Sequence, residues 1–215
     1  MNVIYEDNHL LVVEKPVNVP MQADSSKDLD LLTMVKQYLI KKYNKPGDAY
    51  VGLVHRLDRP VGGVCVFAKT SKAASRLSKM IASHETFEKN YYAVVMDNGL
   101  KDTGTFEDYL LKDHRTNTVK VDAKGKYAKL DYKVLKRKDN LALVEVDLHT
   151  GRSHQIRVQF ASRNHALFGD QRYNKQSKAG EQIALWSYRL AFAHPVTKEK
   201  MEFVLKPHNR YPFNI

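Results

Sequence analysis

The chain has 215 residues, 35 of them Lys or Arg and 24 Asp or Glu, for a formal charge of +11. With 43% hydrophobic and 27% charged residues, it suits a globular domain with a buried core and is too apolar for a disordered chain. No apolar run approaches the roughly 18 residues of a membrane helix. The single cysteine, Cys65, leaves nothing for a disulfide framework or a Cys-built zinc site.

The N-terminus from Met1 to Asp7 lacks a basic start and an apolar signal core, so the expected location is cytoplasmic. Residues 151–215 carry 11 basic and 4 acidic side chains, which places +7 of the net charge in that stretch. Basic surface interleaved with aromatics suits a polyanionic partner, because neutralising phosphates releases counterions. A solvated Lys-rich surface would have the same composition, so charge alone does not decide for nucleic acid.

In chain order, Val3–Tyr5 and Leu10–Glu14 read as strands around the turn Asp7-Asn8-His9. Leu29, Leu32, Val35, Leu39 and Tyr43 recur at helical spacing, with Asp28 or Asp30 as cap and Asn44-Lys45-Pro46-Gly47 as stop. Tyr50–Leu53 and Val64–Ala68 read as strands around a Gly/Pro loop. Thr70 or Ser71 caps a second helix running to about Ser83, with Ala74, Leu77 and Ile81 on its buried face. Phe87–Met96 and Thr105–Leu111 are further strands, and Lys129–Leu135 with Leu141–Leu148 form a hairpin. A third helix spans about Ser153 to Asn164, and Ala184–Phe192 with Met201–Leu205 make a last hairpin. Many hairpin-linked strands and three helices predict an α+β fold: a mostly antiparallel mixed sheet flanked by helices, in one continuous domain, 1–215.

Two segments are more polar than their surroundings require. His55-Arg56-Leu57-Asp58-Arg59-Pro60, followed by Val61-Gly62-Gly63, places a carboxylate between two arginines where a simple turn would serve. His149-Thr150-Gly151-Arg152-Ser153-His154-Gln155-Ile156-Arg157 leaves a strand, turns at Gly151 and enters a helix whose free N–H groups favour anions. Either segment alone is equally compatible with a structural ion-pair network.

Together they resemble the RluA-like family of pseudouridine synthases, over about Val3 to Pro207. His55-Arg56-Leu57-Asp58 is similar to that family's nucleophile segment, and Lys89-Asn90-Tyr91-Tyr92-Ala93 to its Lys-x-Tyr-x-Ala strand. Thr150–Val158 resembles its third motif, followed by Gly169-Asp170 and Tyr173, and His194-Pro195 with Thr197 its closing hairpin. Val61-Gly62-Gly63 stands where the family usually has Thr-Ser-Gly, and Asn18 replaces a usual glycine after Lys15-Pro16. No S4-type RNA-binding domain precedes the motifs, so the expectation is a minimal catalytic domain, commonly a monomer in this family.

The resemblance implies isomerisation of uridine to pseudouridine in ribosomal or transfer RNA, without metal or cofactor. The N1–C1′ bond breaks, the uracil turns, and a C5–C1′ bond forms. Asp58 is implied as the required carboxylate, either attacking C1′ or removing the C2′ proton. Arg157 is its implied cationic partner, and Tyr91 is implied to pack against the base and assist removal of the C5 proton. Arg56 would hold the flipped nucleotide or fill its vacated place, while Arg152, His154 and Gln155 are expected RNA contacts. His55 and His154 have no third ligand at suitable spacing, which disfavours a metal site. Cys65 reads as a small buried hydrophobe. Two other classes compete: a catalytically silent RNA-binding protein on the same fold, and a hydrolase using Asp58 as a covalent nucleophile. The hydrolase wants a second carboxylate as acid, and none lies beside either motif.

Overall fold

A computed structural model describes residues 1–83, 86–209 and 211–215, which form eleven strands and three helices. The chain divides into two compact units. The first comprises Met1–Phe87 with Arg189–Leu205, and the second Glu88–Tyr188 with Lys206–Ile215.

The first unit contains β1 (Val3–Glu6), β2 (Leu10–Lys15), β3 (Gly52–Leu53), β4 (Gly62–Ala68), the end of β10 (Leu185–Ala193) and β11 (Lys200–Val204). Strand order is β1-β2-β4-β10, with β3 on β4 and β11 on β10. The β1·β2, β2·β4, β3·β4 and β10·β11 pairs are antiparallel. All seven residues of β4 are buried, so its near-continuous apolar run is that of a central strand rather than an alternating edge. Leu10, Val12, Val64, Val66, Leu77, Phe87, Leu190 and Phe192 build the core, and the Phe87 and Phe192 rings stack at 5.0 Å. Cys65 is fully buried in β4, as expected, and burial pushes its thiol up to about 12.

Of the two candidate caps for α1 (Leu31–Lys42), the structure uses Asp30, whose Oδ1 accepts from the Thr33 amide at 3.0 Å. Thr70 caps α2 (Ser71–Ser83), its Oγ1 accepting from the Ala73 amide at 3.1 Å. Ala73 and Leu77 are buried on α2, while Ala74 and Ile81 are only partly so.

Glu6 fastens α1 to the strands. Its carboxylate accepts from Tyr38 at 2.9 Å and from Lys42, Tyr43 and Lys69 at 2.7 Å each. Burial alone would raise its pKa, but these four donors outweigh that and hold it at about 2. A carboxylate depressed in the folded state stabilises the fold fully above about pH 4.5, and that contribution is lost as pH falls toward 2. Glu6→Ala should therefore cost about 2 kcal/mol at neutral pH and flatten the acid limb of stability between pH 4.5 and 2. Urea unfolding across that range measures both, and an unaltered acid limb would exclude Glu6 as its source.

The second unit contains β5 (Phe87–Met96), β6 (Thr103–Asp113), β7 (Thr118–Val121), β8 (Lys126–Lys138), β9 (Leu141–Leu148), the start of β10 and α3 (Gln155–Ala161). Strand order is β10-β5-β9-β8-β6-β7, with β5·β9, β8·β9, β6·β8 and β6·β7 antiparallel. The β8–β9 turn is Asp139-Asn140, with φ of 52° and 61°; two successive left-handed residues match the twist of a tight hairpin. Phe106, Tyr132 and Phe160 pack ring against ring at 4.8 to 5.4 Å and seat α3 on the sheet.

The observed strands and helices confirm the α+β architecture with a mostly antiparallel sheet. Three details differ from the sequence expectation. The strand expected over Tyr50–Leu53 shrinks to β3, with Tyr50 half exposed. The strand β7 was not anticipated, its four residues being two apolar and two polar between turns. The third helix is shorter than Ser153–Asn164 and is buried through Gln155–Phe160, so it is an enclosed element rather than a surface helix offering its first turn to anions.

Candidate active site

Within the first unit, Asp58 lies on the connection from β3 to β4 and is partly buried. The carbonyl of Asp58 accepts from the Val61 amide at 2.9 Å, closing a turn. Lys15, at the end of β2 and wholly buried, braces that turn. Its ammonium donates to the carbonyls of Pro16 at 3.0 Å, Arg59 at 2.9 Å and Val61 at 2.7 Å. Burial lowers the Lys15 ammonium to about 8, against the opposing influence of Cys65 and Asp58. The backbone around Asp58 is thus fixed by groups other than its own carboxylate.

His55 anchors the other end of the segment, its Nε2 accepting from the Val66 amide at 3.0 Å. That bond places the proton of the neutral ring on Nδ1. Arg59 turns to Asp24 and Asp28. Arg56 is exposed and has no hydrogen-bond partner among the described residues. One departure from the family pattern, Asn18, has a local explanation, and the glycine the pattern keeps, Gly63, has another. Asn18 adopts φ 63°, a left-handed conformation that Asn tolerates better than any β-branched residue, so it can replace a glycine. Gly63 has φ 125°, where a side chain would be strained.

Within the second unit, Tyr91 and Tyr92 take opposite faces of β5, as strand alternation requires. Tyr91 is 6% exposed and pairs in register with Val146. Tyr92 stacks on Tyr188 with ring centroids 3.9 Å apart. Arg157 is buried in α3, where Asp170 holds it. Nε donates to Oδ2 at 2.9 Å and one terminal nitrogen to Oδ1 at 2.8 Å, a side-on fork that directs the remaining guanidinium edge away from Asp170. The ring of Tyr173 lies 5.2 Å from the guanidinium carbon. Gly169, at φ 70°, delivers Asp170: a Cβ there would stand 2.2 Å from the Gln182 carbonyl.

Tyr173 also organises His154. Its hydroxyl oxygen accepts from the Val119 amide at 2.9 Å and lies 2.7 Å from His154 Nδ1. Burial raises the Tyr173 hydroxyl, which stays protonated beside the imidazole. His154 itself sits at φ 51° ahead of α3. Gln155 is 3% exposed, and its amide is spent inside the protein. Its Nε2 donates to the Lys129 carbonyl and Gln159, and its Oε1 accepts from Thr150 and the Arg152 amide. Gln155 therefore braces the loop that carries Arg152. Arg152 is partly exposed and donates from Nε to the Tyr127 carbonyl at 2.8 Å.

The sequence assigned no role to Asp170 or Lys15, and both prove to hold candidate site residues. Their sequence signal was membership of the family pattern, Lys15-Pro16 as its early motif and Gly169-Asp170 after the third.

A braced aspartate turn in one unit, and a buried Arg–Asp fork and a strand tyrosine in the other, carry residues quoted for the family resemblance. Residues 9–162 match the family model for RNA pseudouridylate synthase, and the chain belongs to that family of isomerases. It is 35% identical to an uncharacterised RNA pseudouridine synthase of Aquifex aeolicus, over 96% of this chain and 69% of that protein. It is also 31% identical to ribosomal large subunit pseudouridine synthase D of Zymomonas mobilis, over 94% and 68%. The chain spans about two thirds of the length of these relatives. Among solved structures, human RNA pseudouridylate synthase domain containing 4 shares the fold at a TM-score of 0.80, covering 96% of this chain and 89% of that one at 19% identity. Human RNA pseudouridylate synthase domain containing 1 does so at 0.77, covering 99% and 85% at 22% identity.

Proposed function

We propose that the protein converts uridine to pseudouridine in ribosomal RNA, using Asp58 as the catalytic carboxylate. Family membership carries this reading, and relatives named as ribosomal large subunit pseudouridine synthases favour ribosomal over transfer RNA. Asp58 breaks the N1–C1′ linkage by attacking C1′ or by taking the C2′ proton. The turned uracil then bonds through C5 to C1′, displacing Asp58 from C1′ or, in the other route, with the proton returned to C2′; the C5 proton leaves to solvent and N1 takes one up, so the product is an isomer of the substrate. Tyr91 packs against the base, and the Arg157 guanidinium supplies positive charge to the reaction. Arg56, exposed beside Asp58, holds the flipped nucleotide. Arg152 and His154 are RNA contacts, and Gln155 positions the segment that bears them. The reaction needs no cofactor, and we place it in a cytoplasmic monomer.

The test is tritium release from transcribed ribosomal RNA carrying tritium at uridine C5. Release by the wild-type protein is expected, and transfer RNA should release less. RNA binding without any release from either RNA would instead favour the silent RNA-binding protein.

A further inference from the structure

Two lysines are buried on strands, and their ammonium groups meet different surroundings. Lys15 is satisfied by three carbonyls. Lys89, in β5, is 4% exposed and has no hydrogen bond or ion pair among the described residues. The tip of its ammonium keeps access to solvent, so the group is open to an anion from outside rather than enclosed. Burial pushes the Lys89 ammonium down; the charge of Asp147 offsets part of this and that of Arg152 adds to it.

The surroundings of Lys89 point to an anion. Alternation along β5 places Lys89 on the same buried face as Tyr91. Facing its ammonium is Gly151, where an added Cβ would stand 3.5 Å from Nζ, so the glycine leaves that side of the lysine uncovered. The next residue is Arg152, whose Nε is held by the Tyr127 carbonyl. Its terminal nitrogens have no partner among the described residues. Two cations therefore gather at one glycine, and neither has a carboxylate bonded to it.

We infer that Lys89, Gly151 and Arg152 form a phosphate site that takes one phosphodiester of the bound RNA strand. One non-bridging oxygen accepts from the ammonium of Lys89 and the other from the terminal nitrogens of Arg152, while Gly151 lets the group approach the backbone. The inference rests on the RNA reading for the identity of the anion. It adds to the expected contact at Arg152 a lysine that the sequence pattern left without a role.

The experiment compares Lys89→Met and Lys89→Arg with the parent, all carrying Asp58→Asn so that turnover does not intrude. Binding of a fluorescent oligouridylate is followed by anisotropy across a salt series, and thermal unfolding is measured without RNA. Lys89→Met should weaken binding about tenfold and lower the slope of log affinity against log salt by about 0.7, the share of one single-strand phosphate. Its melting temperature should stay level or rise, since the variant loses a charge without an ion-pair partner. Lys89→Arg should restore the slope. An unchanged slope in Lys89→Met overturns the site, and with a lower melting temperature it makes Lys89 a structural residue. Binding is read without catalysis, so the salt pattern without tritium release by the wild type would keep the phosphate site and defeat the isomerase reading. Release with an unchanged slope would do the reverse.

Discussion

Asp58→Asn lowers tritium release by at least about 10³-fold while the protein remains folded. The amide has nearly the shape of the carboxylate, but it can neither attack C1′ nor accept the C2′ proton. The turn itself survives, because it is closed by a bond between the Val61 amide and the Asp58 carbonyl and braced by Lys15 through backbone carbonyls. Unfolding free energy should therefore stay within about 1 kcal/mol of the wild type. Parallel measurement of tritium release and of melting separates the two effects. A variant that keeps more than a tenth of the wild-type rate would remove Asp58 from the chemistry, and one that fails to fold would make it a structural residue.

The second large effect is on stability. Asp170→Ala leaves the guanidinium of Arg157, buried in α3, without the carboxylate that binds it through two nitrogens. Breaking a buried pair by removing one partner costs about 3–5 kcal/mol, far more than the pair contributes net, because the remaining charge stays desolvated. Arg157→Met combined with Asp170→Ala should cost less than the sum of the two single variants, since the pair is then removed as a unit. Urea midpoints for the two single variants and the double variant complete a double-mutant cycle. Additive losses would show that the two side chains are energetically independent despite their geometry.

Much of the fold could be read from pattern. Strand alternation separated Tyr91 from Tyr92, and helical spacing with side-chain caps located α1 and α2. Those signals depend on one buried and one exposed face, and they weaken where an element lies fully inside. The segment that became α3 is such a case: its start reads as a polar helix entry that favours anions, yet Gln155, Arg157 and Gln159 are all buried. Their polar groups are satisfied by Asp170, Lys129, Phe106 and Asp108, all distant in sequence. The same limit applies to the site. Motifs identified Asp58, Tyr91 and Arg157 as candidates, but the brace from Lys15 and the fork from Asp170 depend on tertiary neighbours 13 to 46 residues away. Lys89 is the converse: its motif was recognised, while its lack of a hydrogen-bonding partner is visible only in three dimensions.

The burial of Cys65 has a practical consequence. Thiol reagents act on the thiolate at accessible sulfur, and the native protein's lone cysteine is fully buried with a thiol far from ionised at neutral pH. Site-directed labelling of the folded chain therefore starts from a silent background. A cysteine placed at an exposed position such as Tyr109 or Tyr127 would carry a fluorophore or cross-linker alone. The path of a bound RNA strand could then be traced position by position without first altering β4.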